Sequence, residues 1–275
     1  MANDDRHDEP MTTAAPPPPP QRCWRCELEA PGGAAVCPHC AARLHAHVAG
    51  DESALDHHAP DATIKLLLGS YAILLVTGIV HALALAVRFH DVAEVDDATR
   101  ESVLWQVLFV EAIDTLVVVW ALIRWNRDSS SVVPSPVSRM VSWLSAMPVL
   151  GVLLAINFGY HWLVRQFISS PFWAEELAEQ FSWLSLLATC VQPAIVEEAY
   201  CRWFALDSLQ GVTNRRAAVW ISATMFALFH VADLLSMPYF LLFGVVLAYM
   251  RLGSGSLLLP VAIHFLHNLF ILLWC

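Results

Sequence analysis

Apolar residues fill long stretches of the chain from Ile64 onward, and short polar loops separate them. Each stretch approaches the ~20 residues that an α-helix needs to cross ~30 Å of hydrocarbon. The pattern predicts seven spans, at about 64–88, 102–124, 139–163, 181–208, 215–234, 236–252 and 256–275. We therefore expect an all-α fold, a polytopic transmembrane helix bundle of about seven spans.

The composition agrees with a membrane protein and argues against a disordered chain, a single soluble domain and a nucleic-acid-binding protein. Of the 275 residues, 57% are hydrophobic and only 15% are charged, which is too apolar for a disordered chain or a single soluble domain. The net charge of −10 comes without a basic stripe that could neutralise phosphates, so nucleic acid is not an expected partner. The expected surroundings are a lipid bilayer.

Basic residues beside the spans indicate how the chain is oriented. With the N-terminus in the cytosol, the cytosolic flanks hold Lys65, Arg124, Arg127, Arg139, Arg215, Arg216 and Arg251. The outer flanks hold only Arg88, Arg100 and Arg165. The positive-inside rule therefore favours a cytosolic N-terminus. The polar, acidic start of the sequence, which lacks a signal-peptide pattern, agrees with that orientation.

The chain before the spans divides into three parts. Residues 1–22 contain a run of five prolines and predict a disordered, Pro-rich lead. Residues 23–44 predict a compact module. Residues 45–63 are rich in histidine and aspartate and predict a polar linker. The linker joins the module to a transmembrane domain at 64–275.

The compact module carries two CxxC pairs, Cys23 with Cys26 and Cys37 with Cys40. Four thiolates in this spacing close a tetrahedral structural zinc site. Disulfides are disfavoured in a reducing cytosol, and a mononuclear iron site of rubredoxin type is the other alternative. The module resembles a zinc ribbon. Because so small a unit binds or senses rather than catalyses, we expect a structural zinc and a protein partner for it.

The most unusual polar residues lie within the predicted span at 181–208, in the sequence QPAIVEEAYCR. An ionisable side chain at that depth costs at least ~2.5–3.5 kcal/mol on insertion scales. At about 100° per residue, Glu198 and Arg202 share one helix face, and Glu197 points about a quarter-turn away. One acid is thus expected to pair with Arg202 while Glu197 stays available for chemistry. Pro193 predicts a bend just before them.

Three further polar sets lie in other predicted spans. Phe226 and His230 are four residues apart on one face, and so are His264 and Asn268, with His267 about 60° away. The third set is an acidic pair, Glu111 and Asp114. A lone histidine in a span is more often an interhelical hydrogen-bonding residue than a catalyst. Polar groups that converge from several helices favour a functional site instead.

These residue types are those of a hydrolase that activates water. A glutamate shielded from bulk water is a suitable general base, and an imidazole can hold the same water from another side. The His264 and Asn268 pair offers donors to the oxyanion that develops on a peptide carbonyl. Cys201 adjoins the acids but has no base fixed beside it. Water activation is therefore expected rather than an acyl-enzyme.

Three motifs in this order, EExxxR at 197–202, FxxxH at 226–230 and HxxxN at 264–268, resemble those of the CPBP family of intramembrane proteases. This family comprises the CAAX prenyl endopeptidases and the bacterial Abi-type relatives linked to bacteriocin processing and self-immunity. The resemblance covers about residues 180–275. It does not extend to the N-terminal module or to the earlier spans.

The resemblance implies a role for each matching residue. Glu197 would activate the water and His230 would share it, while His264 and Asn268 would form the oxyanion site. Glu198, Arg202 and Phe226 would support them. Members are commonly called metalloproteases, and an active-site zinc is left open because no HExxH is present and glutamate and histidine alone also suffice.

The sequence thus predicts an intramembrane endopeptidase that cuts a membrane-associated peptide or protein, located in a bacterial inner or plasma membrane. One alternative is a non-catalytic membrane immunity or scaffold protein whose ribbon recruits a partner. Another is a proton-coupled transporter that uses Glu111, Asp114 and the site residues as a relay. The unpaired acid argues against the scaffold, and the absence of repeated halves argues against the transporter.

Overall fold

The computed structural model describes residues 19–23, 28–34, 37–39, 44, 58–89, 96–125, 134–167 and 181–274. The helices are α1 (His58–Phe89), α2 (Asp97–Arg124), α3 (Pro136–Leu144), α4 (Ala146–Phe167), α5 (Trp183–Leu186), α6 (Gln192–Glu198), α7 (Leu206–Gln210), α8 (Arg215–Phe229), α9 (Met237–Ser254) and α10 (Leu258–Trp274). Two π-helical segments, Leu187–Val191 and Ala199–Ala205, join α5, α6 and α7 into one continuous helix, named the motif helix below. The strands β1 (Gln21–Arg22) and β2 (Glu29–Ala30) form an antiparallel pair.

The described part of the transmembrane domain confirms an all-α, polytopic helical bundle. Four of its helices are long and apolar enough to cross a bilayer: Ala62–Arg88, Asp97–Arg124, Ala146–Phe167 and Met237–Ser254. Leu258–Trp274 is a shorter apolar helix. The predicted spans at 181–208 and 215–234 correspond to the motif helix and α8. The chain is therefore a multi-pass membrane protein.

The predicted span at 139–163 is interrupted at Ser145, which separates α3 from α4. Pro148 explains the break, because it has no N–H to donate to the carbonyl of Leu144 one turn earlier. The neighbouring bonds persist, with Ser145 N–H donating to Val141 and Val149 N–H donating to Ser145, each at 2.9 Å. The helix in this region that is long and apolar enough to cross a bilayer is Ala146–Phe167, which begins and ends later than the predicted span.

The predicted span at 215–234 is also shorter in the structure, because α8 ends at Phe229 and His230 is its C-cap. Asp233 forms a tight turn after it: its N–H donates to His230 O at 2.9 Å, and its carboxylate accepts from Ser236 N at 3.1 Å. This turn places His230 at the end of a helix rather than in the middle of one.

The core lies where the motif helix packs between α1, α8, α9 and α10. Its largest fully buried side chains include Tyr200 and Phe204 of the motif helix and Phe243 of α9. The Tyr200 hydroxyl lies 2.9 Å from Ser70 Oγ and donates to Leu67 O at 2.9 Å, so it binds α1 through two contacts. The first span is thereby fastened to the helix that carries the glutamates.

Helices α8 and α9 approach each other closely at Gly244. A Cβ atom on this glycine would lie 3.1 Å from Ala223 Cα and 3.2 Å from its Cβ. Small residues allow such approach between helices in a membrane. The contact matters for the site because Phe226 lies about one turn beyond Ala223.

The N-terminal module is described only in part. Cys23 and Cys37 are buried in a small cluster with Ala30 and Leu44. Cys23 N–H donates to Leu28 O at 2.9 Å. Cys26 and Cys40 lie outside the described residues, as do most of the predicted lead and linker, so the zinc ribbon stays a prediction. Helix α1 begins at His58, earlier than the predicted span.

Candidate active site

The two glutamates lie on α6, the single α-helical stretch between the two π segments. In the first segment Gln192 N–H donates to Leu187 O, and in the second Leu206 N–H donates to Cys201 O, both five residues back. Such π segments are rare and occur frequently at functional sites. A uniform 100° per residue therefore does not hold beyond Glu198.

Glu198 lies at the centre of the buried site. Its Oε2 lies 3.1 Å from Arg202 Nε, the pairing that the four-residue spacing predicts, and neither side chain is exposed. Its Oε1 accepts a hydrogen bond of 3.0 Å from His264 Nδ1 of α10. Both carboxylate oxygens are thus engaged, one within the motif helix and one across to another helix.

Arg202 is held by more than its ion pair. Its Nη2 donates to Gly244 O at 3.4 Å, and its guanidinium carbon lies 4.3 Å from the centre of the Phe226 ring. The same ring lies 5.1 Å from the His230 ring and 5.6 Å from the His264 ring. Phe226 therefore contacts three of the predicted site residues, which agrees with a supporting role.

Glu197 has a different environment from its neighbour. It is only partly buried, and its Oε2 is enclosed without a hydrogen-bond partner among the described residues. Glu111 and Asp114 of α2 lie within electrostatic range of it, and each also has one buried carboxylate oxygen without such a partner. The acidic pair thus belongs to the same site as Glu197.

Gln192 holds α2 against the motif helix beside this acidic group. Its Nε2 donates to Glu111 O and to Thr115 Oγ1, each at 3.1 Å. Gln192 was not among the site residues predicted from the sequence. Its position immediately before Pro193 was the available signal, since a polar side chain at a helix bend in a membrane needs a partner.

His230 presents one ring nitrogen to the site. Its Nδ1 donates to Phe226 O at 3.1 Å, and its ring stacks on Phe240 at 3.9 Å between centroids. His264 is arranged in the same way, with Nδ1 donating to Glu198. In the neutral form both rings therefore have Nε2 as a proton acceptor.

His267 and Asn268 form a chain of polar contacts on α10. His267 is buried; its Nδ1 donates to Asn268 Oδ1 at 3.1 Å, and its Nε2 accepts from the Tyr239 hydroxyl. Asn268 Nδ2 in turn donates to Thr189 O in the first π segment at 2.8 Å. Both ring nitrogens of His267 are used, so it holds Asn268 in place rather than facing a substrate.

The histidines of the site have one feature of metal ligands but not a complete ligand set. Within the described ranges, no three His, Cys, Asp or Glu side chains are grouped so that they could hold one ion. His230 and His264 do have the anchored Nδ1 that is typical of zinc ligands. A third ligand does not join them in this arrangement.

Comparison with known proteins bears on the same region. The chain has no significant match among the curated proteins or among the solved structures. Residues 179–270 match the model of a family described as type II CAAX prenyl endopeptidase Rce1-like. The matched region contains Glu197, Glu198, Arg202, Phe226, His230, His264 and Asn268. This part of the chain is therefore similar to the CAAX proteases, and the match supports a CAAX-protease-like intramembrane endopeptidase.

Proposed function

We propose that the protein hydrolyses a peptide bond of a membrane-associated substrate with a water molecule activated by Glu197 and His230. The observation that carries this proposal is the division between two adjacent acids. Glu198 Oε2 makes no hydrogen bond either, but it lies in an ion pair with Arg202, and Glu198 Oε1 accepts from His264; Glu197 Oε2 has neither an ion-pair nor a hydrogen-bond partner among the described residues. An acid with a free oxygen is the one available to take a proton.

In the first step, Glu197 removes a proton from water as the water oxygen adds to the substrate carbonyl carbon. His230 Nε2 accepts the other water hydrogen in a hydrogen bond and so orients the attacking lone pair. Its ring is held for this task by the Phe226 carbonyl and by stacking on Phe240. The product of the step is a tetrahedral intermediate with a negative oxygen.

The developing oxyanion requires donors that are already in place. His264 is suited to this role, because its Nδ1 is held by the Glu198 carboxylate and Nε2 is the ring nitrogen left to donate to the oxyanion when the ring is protonated. Asn268 has a second amide N–H beyond the one used on Thr189. The two side chains are one helical turn apart on α10, so one oxyanion could lie between them.

In the second step, the intermediate collapses and the carbon–nitrogen bond breaks. The proton that Glu197 took from water passes to the leaving nitrogen, which departs as an amine, and the carbonyl oxygen re-forms within a carboxylic acid. Glu197 returns to its ionised form. No residue becomes covalently attached to the substrate, so the expected kinetics have no acyl-enzyme burst.

The substrate class follows from the location of the site within a bundle of spans. A peptide bond can reach it when the substrate is itself membrane-associated, as a lipid-modified C-terminal peptide or a membrane-bound precursor would be. We propose a bacterial inner or plasma membrane, with the N-terminus in the cytosol. We also propose that the Cys23, Cys26, Cys37 and Cys40 module holds a structural zinc and binds a protein partner.

One observation favours a second function. Glu111, Asp114 and Glu197 each have a buried carboxylate oxygen without a hydrogen-bond partner among the described residues, which is also typical of proton relays in transporters. A transporter would need these acids to carry protons across the membrane. Proteoliposomes with an internal pH dye separate the two functions: a peptidase leaves the internal pH unchanged, whereas a transporter changes it when its substrate is added.

The proposal is tested by comparing membrane proteomes of strains that carry the wild-type protein or Glu197→Ala. A precursor that stays uncut only in the variant strain supports the peptidase and identifies its substrate. Glu101→Ala is the matched control, since Glu101 is an exposed glutamate near the start of α2, away from the site. Identical proteomes in all three strains, with equal protein levels, would contradict the proposal.

A further inference from the structure

Pro193 leaves a carbonyl group of the motif helix without its usual donor. The N–H of residue 193 would serve Thr189 in an α-helical register, or Ala188 in the five-residue register that Gln192 still keeps. Proline has no N–H to give. Pro193 lies in the first turn of α6, and Thr189 lies in the π segment directly before it. Within a membrane, no water is present to donate to an unsatisfied carbonyl, so another donor is needed.

Asn268 supplies that donor from a different helix. Its Nδ2 donates to Thr189 O at 2.8 Å, across 79 residues of sequence. The amide cannot rotate freely, because its oxygen accepts from His267 Nδ1 and the His267 ring is held by the Tyr239 hydroxyl. A chain of three side chains on α9 and α10 thus ends on the carbonyl that Pro193 leaves open.

The contact also lies close to the chemistry. One turn before Asn268 on the same helix face, His264 donates to Glu198 of the motif helix. Helix α10 therefore contacts the motif helix at two points, Thr189 before Pro193 and Glu198 after it. The position of Glu197 and Glu198 relative to His264 depends on both.

From these contacts we infer that Asn268, besides the oxyanion contact proposed above, also positions the two glutamates: its amide donates to Thr189 O beside the missing N–H of Pro193 and so fixes the helix segment that carries them. The pair is complementary: Asn268 is needed at Thr189 because residue 193 is proline. A residue with an N–H at position 193 makes the Asn268 contact dispensable. The catalytic part of this inference rests on the proposed peptidase activity, whereas the structural part does not.

A double-mutant cycle in the full-length protein tests the inference. Asn268→Ala, Pro193→Ala and the double variant are purified in detergent, and amide hydrogen exchange is followed by mass spectrometry over residues 187–195. Asn268→Ala should exchange about fivefold faster or more in this segment, as expected for the loss of one hydrogen bond. The double variant should return to within about twofold of wild type, because the backbone N–H that Pro193→Ala introduces can donate to Thr189 O.

The matched control is Pro148→Ala in the Asn268→Ala background. Pro148 is also a proline within a span, but it lies in α4, outside the motif helix. Its replacement should not slow exchange at 187–195. If Asn268→Ala is too unstable to purify, the yield of folded protein replaces exchange as the readout, and Pro193→Ala but not Pro148→Ala should restore it.

Additive effects in the cycle would overturn the inference, and so would equal rescue by Pro148→Ala. The exchange readout does not depend on catalysis, so it remains valid if the protein is not a peptidase. If the protein is active, positioning also predicts that Asn268→Ala lowers kcat. The kcat of the double variant should then be at least about fivefold higher than that of Asn268→Ala, which is the factor expected for one restored hydrogen bond. Restored exchange without any regained kcat would overturn the positioning of the glutamates while leaving the bond to Thr189 in place.

Discussion

Glu198 Oε1 lies 3.0 Å from His264 Nδ1, and this buried contact joins the motif helix to α10. It fixes the direction of the imidazole, since Nδ1 has to donate and Nε2 is the nitrogen left for chemistry. Because the other Glu198 oxygen faces Arg202, the acid has no spare oxygen for water. We therefore expect Glu197 to act as the general base and Glu198 to hold Arg202 and His264 in place.

We predict that Glu197→Gln lowers the rate of peptide cleavage at least about 100-fold, because general acid–base catalysis contributes a factor of this size. The melting temperature should not fall. Glutamine keeps the shape of the side chain but cannot take a proton from water. Purified variants with a membrane peptide substrate, together with thermal unfolding in detergent, provide the measurement. Glu198→Gln should instead lower both activity and melting temperature, because it removes the charge that pairs with Arg202. Cleavage within about threefold of wild type in Glu197→Gln would remove Glu197 as the base.

Arg202→Ala should destabilise the protein strongly. Breaking a buried ion pair by removing one partner costs ~3–5 kcal/mol, and here the cation–π contact with Phe226 is lost as well. Unfolding in detergent measures the loss. The double variant Glu198→Leu, Arg202→Met should be more stable than Arg202→Ala, since no unpaired charge remains. A stable but inactive Arg202→Ala protein would contradict this and favour a direct catalytic role for the arginine.

Gly244→Ala is expected to destabilise the packing of α8 against α9 by ~1–3 kcal/mol, the usual cost of an overpacked contact. The added Cβ would lie 3.1 Å from Ala223 Cα, and backbone cannot move aside as a flexible side chain can. The shift should also move the Gly244 carbonyl away from Arg202. Gly151→Ala in α4 is the control, because nothing lies within 4 Å of a Cβ there. Equal thermal unfolding of the two variants would contradict the prediction.

For the N-terminal module we predict one tightly bound zinc per chain. The Cys23→Ser, Cys26→Ser double variant should lose it, because two thiolates cannot close the tetrahedral site. Elemental analysis of purified protein measures the metal, and hydrolysis of a short diffusible peptide should persist in the variant. Wild-type protein without stoichiometric zinc would contradict the prediction.

Chelation decides whether the active centre uses a metal, provided that the N-terminal zinc is removed first. The test therefore uses the Cys23→Ser, Cys26→Ser variant or a chain that begins near Asp61. We expect its activity to be indifferent to o-phenanthroline, since a third ligand does not join His230 and His264 among the described residues. Loss of activity that added zinc restores would show metal-assisted water activation instead. A stoichiometric metal that disappears in His230→Ala would show the same.

Contacts within one helix could be predicted from the sequence, and contacts between helices could not. The four-residue spacing identified the Glu198 pair with Arg202 and the Phe226 pair with His230, because helical periodicity alone brings such residues together. The π segments were not predicted, because a pattern assessed at a uniform 100° per residue does not distinguish a π segment from an α-helix. Glu111 approaches Glu197 because α2 packs against the motif helix. Residue spacing within one helix does not determine how two helices pack. Helical spacing places His267 about 60° away from the face that His264 and Asn268 share, which did not indicate a role for it. In the structure, its hydrogen bond to the neighbouring amide orients Asn268.

The Tyr200 hydroxyl, which binds α1 at Ser70 and Leu67, shows that the boundary of sequence similarity is not a boundary of folding. The similar region begins at residue 179, while α1 ends at Phe89. A fragment that begins at residue 179 contains Tyr200 but lacks Ser70 and Leu67, so the Tyr200 hydroxyl would lose both of these contacts. The first span is thus a structural requirement of the motif helix, although no part of the family match lies within it. Coexpression of 1–178 with 179–275 as separate chains should reassemble the bundle, with the Tyr200 contacts among those that join the two fragments.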